Sequence, residues 1–306
     1  MNGQLLLILN PAAGQRRANR YLPEIIRMIW DNGYTCVTFV TGKKDDARAY
    51  VARHADSFAR IICIGGDGTL NETIAGVLQS GRDVPIGYVP AGTTNDYAYS
   101  LGLSHDVLVA ARNALTGTPR PMDVGVFNGR YFTYTASCGA FARASYSTPQ
   151  TLKNLLGHLA YILEGIKNLP SIRSCHIRVE ADDRVLEDNF IFVAVLNSTS
   201  VGGILRLNAE MVSLDDGIFE LLLIRYPETA MQLSSILYAI TTMDFPNDMV
   251  WFLPAKRIRI FSDDSLEWTL DGEFAQGERE TRIDNLHRAV QIVMSTEDAG
   301  GKDMEA

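Results

Sequence analysis

Apolar residues fall in short unbroken runs in some stretches of the chain and alternate with polar ones in others. Leu5-Leu6-Leu7-Ile8-Leu9, Ile61-Ile62-Cys63-Ile64 and the stretch Val84 to Val89 are of the first kind, as expected for strands covered on both faces. Tyr34 to Val40 alternates and reads as a further strand, ending at Thr41. Between these runs the period lengthens to that of a helix. Leu22, Ile25, Ile26 and Ile29 mark one helix, stopped by Asn32-Gly33. Ala47, Tyr50, Val51 and His54 mark a second, with His54 on its surface, and Leu70, Ile74, Val77 and Leu78 a third. A fourth runs from Val107 to Leu115, with Ser104 as its expected N-cap. Strand and helix alternate four times, which predicts a parallel sheet with helices on its faces.

The pattern changes near Pro119-Arg120-Pro121. Val124 to Phe127, Asn128-Gly129 and Tyr131 to Thr135 form a hairpin signal. A helix with Leu152, Leu155, Leu156, Leu159, Leu163 and Ile166 on one face follows. Strands then dominate: Cys175 to Glu180, Phe190 to Leu196, Phe219 to Arg225, Arg257 to Phe261, Leu266 to Leu270 and Ala289 to Met294. One helix, carrying Leu233, Ile236, Leu237 and Ile240, interrupts them. The reading is an α/β N-terminal nucleotide-binding domain with a parallel sheet over residues 1–123. A mostly antiparallel, β-rich C-terminal domain covers 124–295, and 296–306 is a polar, flexible end.

Every predicted parallel strand ends in a loop of small or polar residues. These are Asn10-Pro11-Ala12-Ala13-Gly14, Thr41, Gly65-Gly66-Asp67-Gly68-Thr69 and Pro90-Ala91-Gly92-Thr93-Thr94-Asn95-Asp96. Ligands of such sheets bind beyond the carboxyl ends of the strands. A glycine turn opening onto a helix also presents backbone N–H groups to a phosphate. Asp67 sits awkwardly beside an anion unless a cation intervenes or it binds another part of the nucleotide. Taken alone, Gly66-Asp67-Gly68 equally fits a tight turn with Asp67 as an N-cap.

Composition narrows the choices. The chain has 306 residues, 46% of them apolar, a mean hydropathy near zero and a formal charge of -8. That charge argues against a nucleic-acid binder, which needs a basic face for phosphates. Cys36, Cys63, Cys138 and Cys175 show no metal-ligand spacing, and three lie in apolar runs. Buried reduced thiols in a cytoplasmic protein are expected. Leu5 to Leu9 is too short for a signal sequence, and no apolar run is long enough to span a bilayer. G-x-x-x-x-G-K-S/T is absent, and Asn71 stands where a Rossmann fingerprint needs its third glycine. The acidic residues near glycines, Asp67, Asp96, Asp123, Asp215-Asp216-Gly217 and Asp271-Gly272-Glu273, are left as candidates for chemistry. Asp271-Gly272 by itself reads as a hairpin turn, and Asp215-Asp216-Gly217 as a solvated one.

Gly65-Gly66-Asp67-Gly68-Thr69-Leu70-Asn71-Glu72 and Pro90 to Asp96 together resemble the diacylglycerol kinase catalytic domain, in its bacterial lipid kinase branch. Asn10 to Gly14, Leu214-Asp215-Asp216-Gly217 and Leu270-Asp271-Gly272-Glu273 complete the likeness, which runs from about residue 3 to 294. The resemblance implies an active site in the cleft between two domains and ATP-dependent phosphorylation of a lipid hydroxyl. Diacylglycerol, giving phosphatidic acid, is the first choice; phosphatidylglycerol, a sphingoid base or a polyprenol are alternatives. It further implies that Asn10, Pro11, Ala12, Ala13, Gly14, Thr41, Gly65, Gly66, Asp67, Gly68, Thr69, Leu70, Asn71 and Thr93 contact the nucleotide. Asp271 and Glu273 would lie at the catalytic centre, with Glu273 as base. Asp216 and the carbonyls of Ser213 and Ile218 would hold a structural Mg²⁺. Where many relatives have Gly-Phe-Asp-Ala, this chain has Gly139-Ala140-Phe141-Ala142. An NAD kinase shares the Gly-Gly-Asp-Gly-Thr turn and is the competing enzyme; a non-catalytic nucleotide-binding regulator is the competing class. A lipid acceptor implies weak, transient contact with the inner face of the membrane, and a homodimer is the base-rate expectation.

Overall fold

In this computed structural model, residues 3–14, 20–139, 174–201 and 205–295 are described. The chain forms two compact units. The first comprises the described residues up to Asp123 and again from Arg288; the second runs from Val124 to His287.

In the first unit, β1 (Gln4–Leu9), β2 (Thr35–Val40), β3 (Arg60–Gly65) and β4 (Ile86–Pro90) form a parallel sheet in the order β4-β3-β1-β2. Helices α1 (Leu22–Asp31), α2 (Asp46–His54), α3 (Asp67–Ser80), α4 (Asp96–Ser100) and α5 (Val107–Thr116) connect them. Leu5, Leu7 and Leu9 of β1 pack with Ile62, Ile64, Ile25 and Ile29 in one apolar cluster, while Leu6 and Ile8 are equally buried. A strand covered on both faces has no use for polar alternation, which explains the unbroken run. The edge strand β2 is only partly buried along its length, and there the sequence alternates.

Two details differ from expectation. Ser104 does not cap α5. Asp106, next to the first helical residue, accepts from the N–H groups of Leu108 (3.0 Å) and Val109 (2.9 Å), and Ser104 Oγ accepts from Asp106 N. The short helix α4 has too few residues for a periodicity to show in the sequence.

The second unit is predominantly antiparallel. It contains the last four residues of β5 (Thr118–Phe127), then β6 (Arg130–Phe132), β7 (Thr135–Gly139), β8 (Cys175–Ala181), β9 (Arg184–Leu196) and the two-residue strands β10 (Ser200–Val201) and β11 (Leu205–Arg206). After these come β12 (Phe219–Arg225), α6 (Ala230–Thr242), β13 (Val250–Ala255), β14 (Arg257–Ser262), β15 (Glu267–Leu270), β16 (Glu273–Gln276) and β17 (Glu280–Met294). Pro119 and Pro121 are tolerated because they occupy the incompletely buried end of β5. The strand therefore begins six residues before Val124. Strands β13 and β16 carry no clear signal in the sequence: one contains Pro254, and the other is four residues long.

Strand β17 is shared. Its first half pairs antiparallel with β14, and Ile292 and Val293 pair parallel with Ile86 and Gly87 of β4. Residues from Arg288 onward thus lie in the first unit, whereas the sequence reading kept everything to 295 in the second. Asp123 marks the crossing. It is completely buried, and its Oδ1 accepts from the N–H of Arg288, which has φ +53°. The helix expected around Leu152 to Ile166 and the segments 140–142 and 296–306 lie outside the described residues. Among the described residues the cysteines are free thiols, Cys63 and Cys138 buried, Cys36 and Cys175 half-buried.

Candidate active site

The four predicted loops of the first unit meet along one edge of the sheet. Asn10 N donates to the Ile64 carbonyl (3.0 Å), and Asn10 Nδ2 donates to Thr69 Oγ1 (2.9 Å), joining the end of β1 to the start of α3. Asn10 Oδ1 accepts from Ala12 N (3.0 Å) and shapes the Pro11-Ala12-Ala13 turn. Thr41 N donates to the Leu9 carbonyl (2.9 Å), and Ala91 N donates to that of Gly65 (2.7 Å). Gly14 has φ +50°, and a Cβ there would lie 1.8 Å from the Ala91 carbonyl oxygen. No other residue allows that approach. Gly66 and Gly92 also pack backbone to backbone: a Cβ on Gly92 would meet the Gly66 Cα at 2.7 Å. Thr93, beside them, is exposed. A pocket of about 330 Å³ opens here, lined by Gly14, Pro90 to Thr93, Asn95, His105 and Val107.

Two acidic residues of this edge accept from the N-termini of neighbouring helices. Asp67 is not the N-cap of α3; Gly66 is, and no side chain caps that helix. The Asp67 carboxylate instead accepts from Asp96 N (3.0 Å) and Tyr97 N (3.4 Å), at the N-terminus of α4. Burial, then the neighbouring Asp67, pushes the Tyr88 phenol well above its usual range. Glu72 accepts from Asp45 N (2.8 Å) and Ala47 N (3.2 Å), at the N-terminus of α2. Asn95, in the left-handed region at φ +54°, accepts from Gly92 N and donates to the Gly92 carbonyl, closing the loop after β4. Helices α2, α4 and α5 therefore begin on carboxylates, while α3 begins on glycine backbone. Its first-turn N–H groups form a ready site for an anion. Leu70 is fully buried behind that turn, and Asn71 follows at the next helical position.

Leu270 and Glu273 are paired residues of β15 and β16, so Asp271-Gly272 is a two-residue hairpin turn. Both have positive φ, +48° and +81°, which is the type I′ geometry. The turn has a second use. The Asp271 carboxylate is buried and accepts four hydrogen bonds: from Thr133 N (2.6 Å), Thr133 Oγ1 (2.8 Å), Tyr134 N (2.9 Å) and Thr135 N (3.0 Å). These donors lie in the break between β6 and β7 and at the first residue of β7. Burial raises the Asp271 carboxyl above its ordinary value, and the four donors oppose that rise. Glu273 is half-buried at the first position of β16.

The Ser213–Ile218 turn is compact. Asp216 Oδ1 accepts from Ile218 N (2.9 Å), Ser213 Oγ donates to Asp215 Oδ1 (3.2 Å), and Gly217 has φ +77°. His287 Nε2 donates to the Asp215 carbonyl (2.9 Å). Among the described residues no group of three or more His, Cys, Asp or Glu is placed to hold a metal. A site here would therefore draw on carbonyl and carboxylate oxygen, which suits a hard cation. Two residues on, Glu220 has a buried Oε2 without a hydrogen-bond partner. Burial, then the charge of Asp216, pushes its carboxyl up to about 8. An orphaned buried carboxylate oxygen is a donor of the kind that a hard cation takes. Glu220 carries no sequence signal, since a single Glu within Phe219 to Arg225 resembles any strand-edge charge. Asn95 and Glu72 do stand within quoted motifs; His105 does not.

The fold and site define an α/β unit with a glycine-rich anion loop and an antiparallel unit bearing a carboxylate hairpin. A family profile described as the diacylglycerol kinase catalytic domain matches residues 4–127. A second, described as the YegS C-terminal NAD kinase beta sandwich-like domain, matches 135–294. The chain is 32% identical over 296 residues to a diacylglycerol kinase of Bacillus subtilis, covering 96% of this chain and 97% of the relative. It is 30% identical to one of Staphylococcus aureus, covering 95% of this chain and 92% of the relative. The crystal structure of a diacylglycerol kinase from Bacillus anthracis superposes with a TM-score of 0.74 at 22% identity, covering 96% of this chain and 98% of that one, a likeness of fold. The chain belongs to the diacylglycerol kinase family of lipid kinases.

Proposed function

We propose that the protein uses ATP to phosphorylate a lipid hydroxyl, with diacylglycerol as acceptor and phosphatidic acid as product. The observation that carries this reading is the start of α3. It is a helix N-terminus without a side-chain cap, behind a glycine turn, on the ligand-binding edge of a parallel sheet. Backbone from Gly65 to Thr69 takes the phosphates, with Asn10 to Gly14, Thr41, Leu70, Asn71 and Thr93 completing the nucleotide site. Asp67 supports the site from behind by holding the Pro90 to Asp96 loop.

Glu273 is the base. A lipid hydroxyl is a poor nucleophile, and the Glu273 carboxylate takes its proton as the oxygen bonds to the γ-phosphorus and the bond to ADP breaks. Asp271 is a positioning residue in this scheme, because its carboxylate already accepts four hydrogen bonds. Asp216 and the carbonyls of Ser213 and Ile218 hold Mg²⁺ as a structural ion. Mg²⁺ with ATP supplies neutralisation of phosphate charge. The acceptor is a membrane lipid and is reached by weak contact at the membrane surface; among the described residues no helix is long and apolar enough to cross a membrane.

The test is transfer of label from γ-labelled ATP to mixed vesicles containing diacylglycerol, phosphatidylglycerol, a sphingoid base or a polyprenol, with NAD as a soluble control. Label in phosphatidic acid is expected. Label in another lipid changes the acceptor, label in NAD replaces the function, and ATP binding without turnover makes the protein a regulator.

A further inference from the structure

The residue after the proposed base is an exposed phenylalanine. Strand β16 reads Glu273-Phe274-Ala275-Gln276 and, among the described residues, pairs only with β15, so it is an edge strand. Its side chains alternate between two faces. Ala275 is fully buried in the core cluster of the second unit, whereas Phe274 is 51% exposed and lies outside it. On Phe274's face the next position, Gln276, and its partner on β15, Glu267, are polar and exposed, as the outer side of an edge strand ordinarily is. Phe274 breaks that pattern. Arg130 of β6 stands beside it: Nη1 donates to the Phe274 carbonyl (3.4 Å). Arg130 is exposed, and among the described residues no carboxylate pairs with it. A guanidinium carries further N–H donors, and these stay available to an acceptor from outside. A single exposed apolar residue is common on protein surfaces. This one is singled out by its neighbours, the proposed base on one side and an unpaired cation on the other.

We propose that the free edge of β16 is where the protein meets the lipid surface, with Phe274 entering the acyl boundary and Arg130 pairing with headgroup phosphate. The inference rests on the lipid kinase reading and says where on the second unit the acceptor is met. A diacyl lipid keeps its chains in the bilayer, so its hydroxyl reaches a carboxylate only where protein surface touches that bilayer. Glu273 and Phe274 leave β16 on opposite faces, so a surface that approaches along the free edge lies against both. A ring that enters the acyl boundary is removed from water, which is a gain in free energy. An arginine at the same rim can keep its apolar stem near the chains while its head reaches phosphate oxygen. One ring and one cation make a weak and reversible contact, as an acceptor exchanged at every turnover requires.

The experiment sediments the purified full chain, without ATP, with vesicles of phosphatidylcholine alone or mixed with phosphatidylserine. Phe274→Ser should weaken binding to both vesicles by about tenfold or more. Arg130→Gln should weaken it by about fivefold on the anionic vesicles only, an effect that high salt removes. Phe274→Trp should keep the binding, and its emission should be quenched by lipids brominated in their acyl chains. That variant is made together with Trp30→Phe, because Trp30 is itself 61% exposed. Unchanged binding in Phe274→Ser with its Tm intact overturns the proposal, as does an unquenched Phe274→Trp. If Phe274→Ser melts early, the quenching decides alone. A wild-type dimer that Phe274→Ser dissociates while vesicle binding persists would give this edge to a second copy, and overturns the proposal too. No turnover is read, so failure to phosphorylate any lipid removes the proposed function and not this surface, while normal phosphorylation does not rescue it.

Discussion

In the first unit the motif carboxylates Asp67 and Glu72 accept from N–H groups at the N-termini of α4 and α2. In the second, Asp271 gathers the Thr133–Thr135 backbone, and Glu220, which belongs to no motif, is buried with one oxygen unpartnered. The difference follows from what each unit offers its ligand. An anion at a helix N-terminus is bound by main-chain N–H groups, and acidic side chains are useful there only where they hold neighbouring loops at a distance. Under the proposed function, a hydroxyl and a cation instead need carboxylate oxygen. An acidic residue beside a glycine is therefore not chemistry in itself, and its partners decide what it does.

The sharpest test of this contrast is Glu273→Gln. The proposed base loses its proton-accepting oxygen while the hairpin turn is unchanged, so turnover should fall by roughly 10² to 10⁴ with ATP affinity and Tm preserved. Near-normal turnover in a folded variant would remove Glu273 from the mechanism. Asp271→Asn should behave differently. Asn tolerates the left-handed turn, but its amide nitrogen would face N–H donors. Unfolding free energy should drop by about 1 to 3 kcal/mol, with turnover falling alongside it. A large kinetic loss with no loss of stability would make Asp271 a reacting group instead of a support.

Gly66→Val addresses the other unit. A Cβ there meets the Gly92 Cα at 3.2 Å, so the branched side chain would stand between the two loops. ATP affinity, measured by calorimetry, should weaken about tenfold or more, equivalent to about 1.4 kcal/mol. Unaltered affinity would place the phosphates elsewhere. The smallest effect is expected at Glu72→Ala, which uncaps α2 and should cost about 0.5 to 2 kcal/mol of stability. ATP affinity should change little. A loss of ATP binding larger than the loss of stability would show that Glu72 acts on the ligand and not on the helix.

The parallel sheet was legible because burial on both faces leaves a local trace, an unbroken apolar run in β1 and β3. The helix stripes, the Asn128-Gly129 turn and the glycine loops likewise express constraints that act within a few residues. The sequence alone also assembled the loops at one edge, since parallel connections force alternate ends to coincide. It did not reveal the partners of the carboxylates. Asp67 lies 29 and 30 residues from the two N–H groups it caps, and Asp271 lies 138 from Thr133. Long-range pairing of that kind leaves no period in either segment. The same holds for β17, a single strand whose pairing passes from β14 to β4. Hydrophobic spacing records which face of an element is covered, and only the folded chain decides what covers it.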